Sequence, residues 1–258
     1  MIRLIISDID STLLGPQGEL PVENIAALQA AVHRGIRLSF ATIRKRDATL
    51  QIVDKLGVPC TLVCNGGATI FDEQGVELRA LTIPLDLARS IAALSDRHEL
   101  PLLTTIDEVN YYTPGSHPAA HIVTSGVDVV SSLAALDRPP ARFIVRGEYG
   151  ADLLMRAFQD APLRFVRHYR PDGMLHDVTI THASASKESA LDFLCRHWGI
   201  APVDVLALGD AVADIGMLRM AGVGVAVGNA HPSVLAAADW IAPEASAGGV
   251  AAAVRRFI

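Results

Sequence analysis

The sequence predicts an α/β protein, in which helices cover both faces of a parallel sheet and an α+β module is inserted into the chain. Half of the residues are hydrophobic but only 5% are aromatic, and an aliphatic interior suits a parallel sheet that is buried on both faces. Short aliphatic runs alternate with helical patterns in the first third and the last quarter, as in βαβ units. Between these regions, several strand patterns are grouped with only two helical patterns.

The parallel sheet is predicted from five strands and the helices that connect them. Runs of β-branched and aliphatic residues predict the strands, and apolar residues at helical spacing predict the helices. The predicted strands are 4–7, 36–41, 61–64, 205–208 and 223–227. The predicted helices are 22–34, 47–56, 188–197 and 215–220.

The inserted module differs from the regions on either side. Its predicted helices cover 85–98 and 151–158. Its strand-like runs cover 102–105, 110–113, 142–146, 164–168 and 175–181. Because the parallel pattern resumes afterwards, we expect a first core part (1–82), the α+β module (83–183) and a second core part (184–258).

A polar residue with functional potential follows each predicted core strand. These residues are Asp8, Thr42, Asn65, Asp210 and Asn229. In open parallel sheets, the ligand crevice lies outside the carboxyl ends of the strands. We therefore expect the five side chains to belong to one site.

Four acidic residues, two in this set and two close to it in the sequence, predict covalent chemistry and a metal. Asp8 and Asp10 point to the same side of an extended chain, and one carboxylate can act as a nucleophile while the other transfers a proton. Asp210 and Asp214 follow a later strand. Clustered carboxylates repel each other unless a cation lies among them, and oxygen ligands suit Mg²⁺. The alternatives are a solvated turn at Asp8 and Asp10 and a helix N-cap at Asp214.

A lysine and a threonine add phosphate-binding groups. Lys187 opens a predicted helix, where its charge opposes the helix dipole unless an anion is bound nearby. A solvated lysine is the alternative. A phosphate bound near Lys187 would be such an anion, and the Thr42 hydroxyl is a further donor for it.

Four segments carry a family resemblance: DIDST (8–12), ATIR (41–44), SKESAL (186–191) and GDAVAD (209–214). In this order, at strand or helix ends, they resemble the four motifs of the haloacid dehalogenase superfamily, and in particular its Cof-like sugar-phosphatase branch. The segments Asn65-Gly66-Gly67 and Gly228-Asn229-Ala230 resemble further parts of that family. The resemblance implies a Rossmann-like core with a large inserted cap domain. The cap would close over the site and select the substrate.

The resemblance also implies a magnesium-dependent phosphatase that acts on a small phosphorylated metabolite, such as a sugar phosphate. Asp8 would attack phosphorus and form an aspartyl phosphate. Asp10 would protonate the leaving oxygen and later activate water. Thr42 and Lys187 would hold the phosphoryl oxygens.

The implied metal and substrate ligands come from the same segments. The Asp8 side chain, the Asp10 backbone carbonyl and Asp210 would bind Mg²⁺, and Asp214 would hold the metal shell in place. Further phosphate or substrate contacts are expected from Arg44, Asn65, Gly66 and Asn229.

Three positions depart from the usual pattern of the branch. Ile43 stands where Gly is usual, and a β-branched residue would be strained there if the backbone had a positive φ. Ala213 replaces an Asn, and Glu188 replaces a common Gly and adds a negative charge near the phosphate. We expect these changes to affect the rate and the substrate more than the reaction class.

Composition limits the partners and the compartment. A net charge of −6 argues against nucleic acid as a ligand, and the sequence has no apolar run of about 20 residues that could span a membrane. Three cysteines give no paired framework, and Asp8 interrupts the apolar N-terminal stretch. We expect a cytoplasmic monomer or homodimer whose partner is a small phosphate ester.

Three other functions remain open at this stage. A phosphotransferase or mutase would pass the same phosphoryl group to a sugar hydroxyl instead of water. A phosphoacceptor signalling domain also combines acids, Thr and Lys on a parallel sheet, but the inserted module and the second acidic motif argue against it. A metabolite-binding protein that has lost turnover is the third.

Overall fold

The computed structural model describes residues 1–113, 127–129, 133, 136–169 and 173–258. They form two compact units. The first contains Met1–Arg79 and Ser186–Ile258, and the second contains Ala80–Ala185. The predicted domain boundaries at 83 and 183 lie a few residues inside the borders of the second unit.

The elements are numbered in chain order. The strands are β1 (Leu4–Ser7), β2 (Arg37–Ala41), β3 (Thr61–Cys64), β4 (Thr69–Phe71), β5 (Glu77–Ala80), β6 (Leu102–Ile106), β7 (Val109–Tyr112), β8 (Val127–Val129), β9 (Arg142–Val145), β10 (Leu163–Tyr169), β11 (Leu175–His182), β12 (Val205–Gly209), β13 (Val223–Ala226) and β14 (Trp240–Ile241). The helices are α1 (Val22–His33), α2 (Arg46–Val53), α3 (Leu85–Arg97), α4 (Glu148–Ala157), α5 (Lys187–Trp198), α6 (Ile215–Met220), α7 (Pro232–Leu235) and α8 (Gly249–Phe257).

The sheet of the first unit has the strand order β14-β13-β12-β1-β2-β3-β4-β5. The neighbours from β14 to β3 are parallel, whereas β3 and β4 are antiparallel. The central strand β1 pairs with both β12 and β2. The carboxyl ends of β1, β2, β3 and β12 therefore lie at one edge of the sheet.

Alternate side chains of β1 enter two separate cores. Ile5 packs with apolar residues of α1, α2 and α8, whereas Leu4 and Ile6 pack with residues of α5, α6 and α7. All three side chains are completely buried, and burial of such a side chain stabilises the fold by about 1.5–3 kcal/mol. Burial on both faces explains why the strands are continuously aliphatic.

The second unit is an α+β module with its own core. Its strand order is β10-β11-β9-β6-β7-β8, with only the β7–β8 pair parallel. Ile91 of α3 and Leu154 of α4 belong to one buried cluster with Phe143, Val178 and Ile180 of the strands. The helices therefore cover one face of this sheet.

The predicted fold class is confirmed, and the second predicted core helix is shorter than expected. The helix predicted for 47–56 ends at Val53 and continues as a 3-10 turn, which Gly57 closes with a φ of 63°. The short helix α7 covers Pro232–Leu235, and beyond it Asp239 accepts a hydrogen bond from the Gly224 backbone N–H at β13. Within the described ranges, every helix is too short or too polar to cross a membrane.

Candidate active site

Asp8 is anchored where β1 ends. Its backbone N–H donates to the Leu208 carbonyl of β12 at 2.9 Å, and the residue is only 6% exposed. The central position of β1 thus places this carboxylate between the ends of its two neighbouring strands.

Lys187 joins two buried carboxylates. Its Nζ donates to Asp8 Oδ1 at 2.5 Å and to Asp214 Oδ1 at 2.6 Å. Lys187 is 4% exposed and Asp214 is fully buried. Reciprocal hydrogen bonds between Ser186 and Ser189 fix the start of α5. They therefore fix the backbone position from which the Lys187 side chain extends. The solvated-lysine alternative is therefore wrong.

Asp210 completes an acidic cluster with Asp8 and Asp214. One ligand oxygen from each of the three residues lies within 4.8 Å of the others. Burial raises the pKa of Asp8 well above its ordinary value, Lys187 opposes this rise, and the neighbouring carboxylates add to it. Burial also raises the pKa of Asp210. For Lys187, burial alone lowers the pKa, but the charges of Asp214 and Asp8 outweigh burial and raise it. One ammonium does not balance the charge of three carboxylates, so the cluster favours the binding of a further cation.

Asp214 supports the loop that carries Asp210. Its Oδ2 accepts hydrogen bonds from the backbone N–H groups of Asp210 at 3.1 Å and Ala211 at 2.9 Å. At the start of α6, the side chain makes no capping bond. Asp214 thus stands at the N-cap position of α6 without making a side-chain capping bond, because its carboxylate binds the loop before it.

Thr12 is a site residue that the sequence analysis did not single out. Its hydroxyl donates to Asp210 Oδ1 at 2.6 Å, and the residue is completely buried. Its presence in the DIDST segment, four residues after Asp8, was the available signal. The hydrogen bond fixes the rotamer of a carboxylate in the acidic cluster.

Asp10 lies in a different environment from Asp8. Both of its oxygens accept from Arg44, with Nε to Oδ2 at 2.9 Å and Nη2 to Oδ1 at 2.5 Å. The Asp10 side chain is 46% exposed and that of Arg44 is 36% exposed. The hydrogen bond to Asp10 raises the pKa of Arg44. The sequence analysis assigned both residues to the site but did not predict that they pair with each other.

The loops after β2 and β3 are tied together beside Thr42. The Thr42 hydroxyl accepts from the Arg44 amide at 3.1 Å, and its carbonyl accepts from the Gly66 amide at 2.9 Å. The backbone N–H of Asn65 donates to the backbone carbonyl of Arg44 at 2.9 Å. Gly67 has a φ of 100°, and a Cβ there would lie 2.3 Å from the Ser186 carbonyl oxygen. This glycine lets the loop approach the start of α5.

Asn229 holds a loop of the site through its side chain. Its Nδ2 donates to the Ser11 carbonyl at 2.7 Å, and its Oδ1 accepts from the Ala245 amide at 2.8 Å. Ser11 has a φ of 61°, which is uncommon for a residue with a side chain. Asn229 thus stabilises the turn that follows Asp10. Its expected contact with substrate stays a prediction.

The structure shows the backbone conformation or the surroundings of two residues that depart from the family pattern. Ile43 does not have a positive φ, so the strain considered for it is absent. Glu188 is exposed, and its carboxylate lies against Gly216, where a Cβ would come within 2.4 Å of Oε2. Its negative charge is thus next to the start of α6, which is the favourable end of a helix for an acid.

The fold and the site define a class of protein: a parallel-sheet enzyme core with a buried acidic cluster and a lysine at the carboxyl edge. Comparison with known proteins gives the family. The model of the haloacid dehalogenase-like hydrolases matches residues 5–254, so the chain belongs to that family. The predicted family, with its Cof-like branch, and the predicted enzyme class are confirmed at this level.

Individual relatives agree with this assignment. The HMP-PP phosphatase of Serratia proteamaculans (strain 568) is 29% identical over 91% of this chain and 86% of its own length. The pyridoxal phosphate phosphatase YbhA of Escherichia coli (strain K12) is 27% identical over 93% and 92%. The crystal structure of a haloacid dehalogenase-like hydrolase from Bacteroides thetaiotaomicron matches with a TM-score of 0.88 and 21% identity over the whole of both chains, which is a likeness of fold.

Proposed function

We propose that this protein is a Mg²⁺-dependent phosphatase that hydrolyses a small phosphorylated metabolite through an aspartyl phosphate on Asp8. One observation carries the proposal: the buried Asp8 carboxylate bonds to the Lys187 ammonium and belongs to one acidic cluster with Asp210 and Asp214. This arrangement combines a nucleophile, a phosphate-binding cation and metal ligands. The names of the relatives, HMP-PP phosphatase and pyridoxal phosphate phosphatase, support the reaction class.

The donor set fits Mg²⁺, which prefers hard oxygen ligands and typically takes one or two carboxylates. Asp8, Asp210 and the Asp10 backbone carbonyl would hold the ion. Asp214 uses Oδ1 for Lys187 and Oδ2 for the 210–211 backbone, which favours its support of the metal shell over direct ligation. When bound, Mg²⁺ neutralises charge on the transferring phosphoryl group and orients it.

The side chains of the protein perform the remaining steps. An oxygen of Asp8 attacks phosphorus while the bond to the ester oxygen breaks, and Asp10 gives its proton to that leaving oxygen. Asp10 then takes a proton from the water that hydrolyses the aspartyl phosphate. Thr42 and Lys187 bind the phosphoryl oxygens and stabilise the charge that develops on them.

The second unit is proposed to be the cap domain that selects the substrate. The relatives are named for different phosphorylated compounds, so the proposed substrate class is a small phosphorylated metabolite, such as a sugar phosphate. A cytoplasmic location and a monomeric or homodimeric state complete the proposal.

The test is a panel of phosphate esters, assayed with Mg²⁺ and with a chelator. We expect Mg²⁺-dependent release of phosphate, and a loss of at least about 10³-fold in Asp8→Asn. Asp86→Asn is the matched control, because Asp86 is an exposed acid in the first turn of α3. Turnover at the wild-type rate in Asp8→Asn would overturn the covalent step. Transfer of phosphate to a sugar hydroxyl would instead identify a phosphotransferase.

A further inference from the structure

We propose that Arg44 transfers its guanidinium from Asp10 to the phosphate group of the arriving substrate, so that substrate binding releases the acid. This inference rests on the proposed function, because it gives a new role to a residue pair of that site. In the structure, Arg44 donates two hydrogen bonds to Asp10, one to each carboxylate oxygen.

The pair occupies the atoms that Asp10 needs for its proposed role. An acid that protonates a leaving oxygen must turn at least one of its own oxygens toward that atom. In the bidentate pair, both oxygens of Asp10 accept from the guanidinium. The pair holds both oxygens against the guanidinium, so Asp10 turns one of them toward a leaving group once Arg44 gives up at least one of these bonds.

The environment of the pair allows such an exchange. The Arg44 and Asp10 side chains are 36% and 46% exposed, and ion pairs with this exposure contribute little net stability. A substrate phosphate is an anion that a guanidinium binds with the same two-pronged geometry. A phosphate therefore competes with Asp10 for Arg44.

The backbone of Arg44 places the guanidinium near the proposed phosphate site. Its N–H donates to the Thr42 hydroxyl, and its carbonyl accepts from the Asn65 amide. The main chain is thus held between two loops of the site, while the long side chain retains rotatable bonds. A change of partner requires only a change of side-chain rotamer.

The experiment measures binding of inorganic phosphate by calorimetry at fixed pH and fixed Mg²⁺. The four proteins are wild type, Asp10→Asn, Arg44→Met and the double variant. We expect Asp10→Asn to bind phosphate at least about fivefold more tightly, because Arg44 no longer has a charged competitor. We expect Arg44→Met to bind at least about fivefold more weakly, and Asp10→Asn to give no gain in the Arg44→Met background.

The double variant separates the proposed exchange from simple charge removal. Replacing Asp10 by Asn removes a negative charge, which by itself favours an anion. An equal gain in both backgrounds would show that charge alone is responsible and would overturn the inference. Unchanged phosphate binding in Arg44→Met would do the same. Arg46→Met is the matched control and should bind phosphate normally, because its guanidinium lies over the Phe71 ring.

A kinetic measurement distinguishes exchange from mere orientation of Asp10. p-Nitrophenolate leaves readily without a proton, whereas phenolate needs more help from an acid. Asp10→Asn should therefore lose more activity on phenyl phosphate than on p-nitrophenyl phosphate. Arg44→Met should raise KM equally for both esters. A loss in Arg44→Met that is confined to kcat for phenyl phosphate would mean that Arg44 only orients Asp10, and the exchange would be wrong.

The two proposals fail in different ways. If wild type hydrolyses no ester, the proposed function is wrong. The double-mutant cycle, in which phosphate binding is measured for the four proteins, still gives the coupling between Arg44 and Asp10. If wild type hydrolyses esters and the cycle shows no coupling, only the exchange is wrong.

Discussion

Asp8 and Asp10 are only two residues apart, but they pair with cations in opposite environments. Lys187 and Asp8 are buried, and Lys187 also binds the fully buried Asp214. Arg44 and Asp10 form a bidentate pair that is about 40% exposed on average. Water can replace either partner of the exposed pair, whereas it has little access to the buried one. One strand end thus carries both a buried charge network and a partly exposed ion pair.

This difference suits the roles proposed for Asp8 and Asp10. A nucleophile has to be held in one position for attack, and a buried network restricts its motion. An acid that serves two successive steps has to change partners, and a solvent-accessible pair permits this.

The largest expected effect is on the free energy of unfolding in the buried network. Lys187→Met leaves Asp8 and Asp214 buried together without their cation, which should cost about 3–5 kcal/mol at neutral pH without metal. The matched change in the exposed pair, Arg44→Met, should cost at most about 1 kcal/mol. Urea denaturation measures both values.

A second substitution checks the cause of that loss. Adding Asp8→Asn to Lys187→Met removes one of the unpaired buried charges and should recover part of the stability. Equal losses in the free energy of unfolding of Lys187→Met and Arg44→Met would show that the two ion pairs contribute equally to stability. The proposed difference between them would then be wrong.

The next effect concerns the Thr12 hydroxyl, which belongs to the fixed side of the site. Thr12→Val keeps the shape of the side chain but removes the bond to Asp210 Oδ1. Mg²⁺ affinity should fall by about 10–100-fold, because residues that orient metal ligands typically contribute this much. Calorimetric titration with Mg²⁺ measures the change, and Thr49→Val, at a buried position of α2, is the control. An unchanged affinity would show that the Thr12 hydroxyl does not orient Asp210 for the metal.

The third effect is a dependence of Mg²⁺ binding on pH. Burial raises the pKa of both Asp8 and Asp210, so these groups retain protons at a higher pH than ordinary aspartates. A metal ligand must lose its proton, and affinity should therefore fall as the pH drops through the raised pKa values. The slope should reach up to about tenfold per pH unit for each proton displaced. Titrations between neutral and mildly acidic pH test this, and a flat profile would contradict the proposed ligands.

The smallest effect is expected at Ala213, which lies in the 3-10 turn between Asp210 and Asp214. Asp214 already holds this loop through two backbone amides. Ala213→Asn, which restores the usual family residue, should therefore leave kcat/KM equal or higher. A large loss would indicate that the loop has been rebuilt for another ligand.

The sequence by itself determined the alternation of strands and helices, the inserted α+β module and the position of functional residues at strand ends. These features depend on local periodicity and on the rule that parallel strands end at one edge. For this reason, the sequence predicts Asp8, Thr42 and Asp210 at one edge of the sheet.

The tertiary structure decided which group contacts which. The sequence contains several cations and acids, but only the folded chain shows that Lys187 joins Asp8 to Asp214, or that Arg44 binds Asp10. Likewise, the contact of Thr12 with Asp210 spans 198 positions in the sequence. Local patterns carry no information about such distances, because the pairing depends on how remote loops meet and on how much water remains between them.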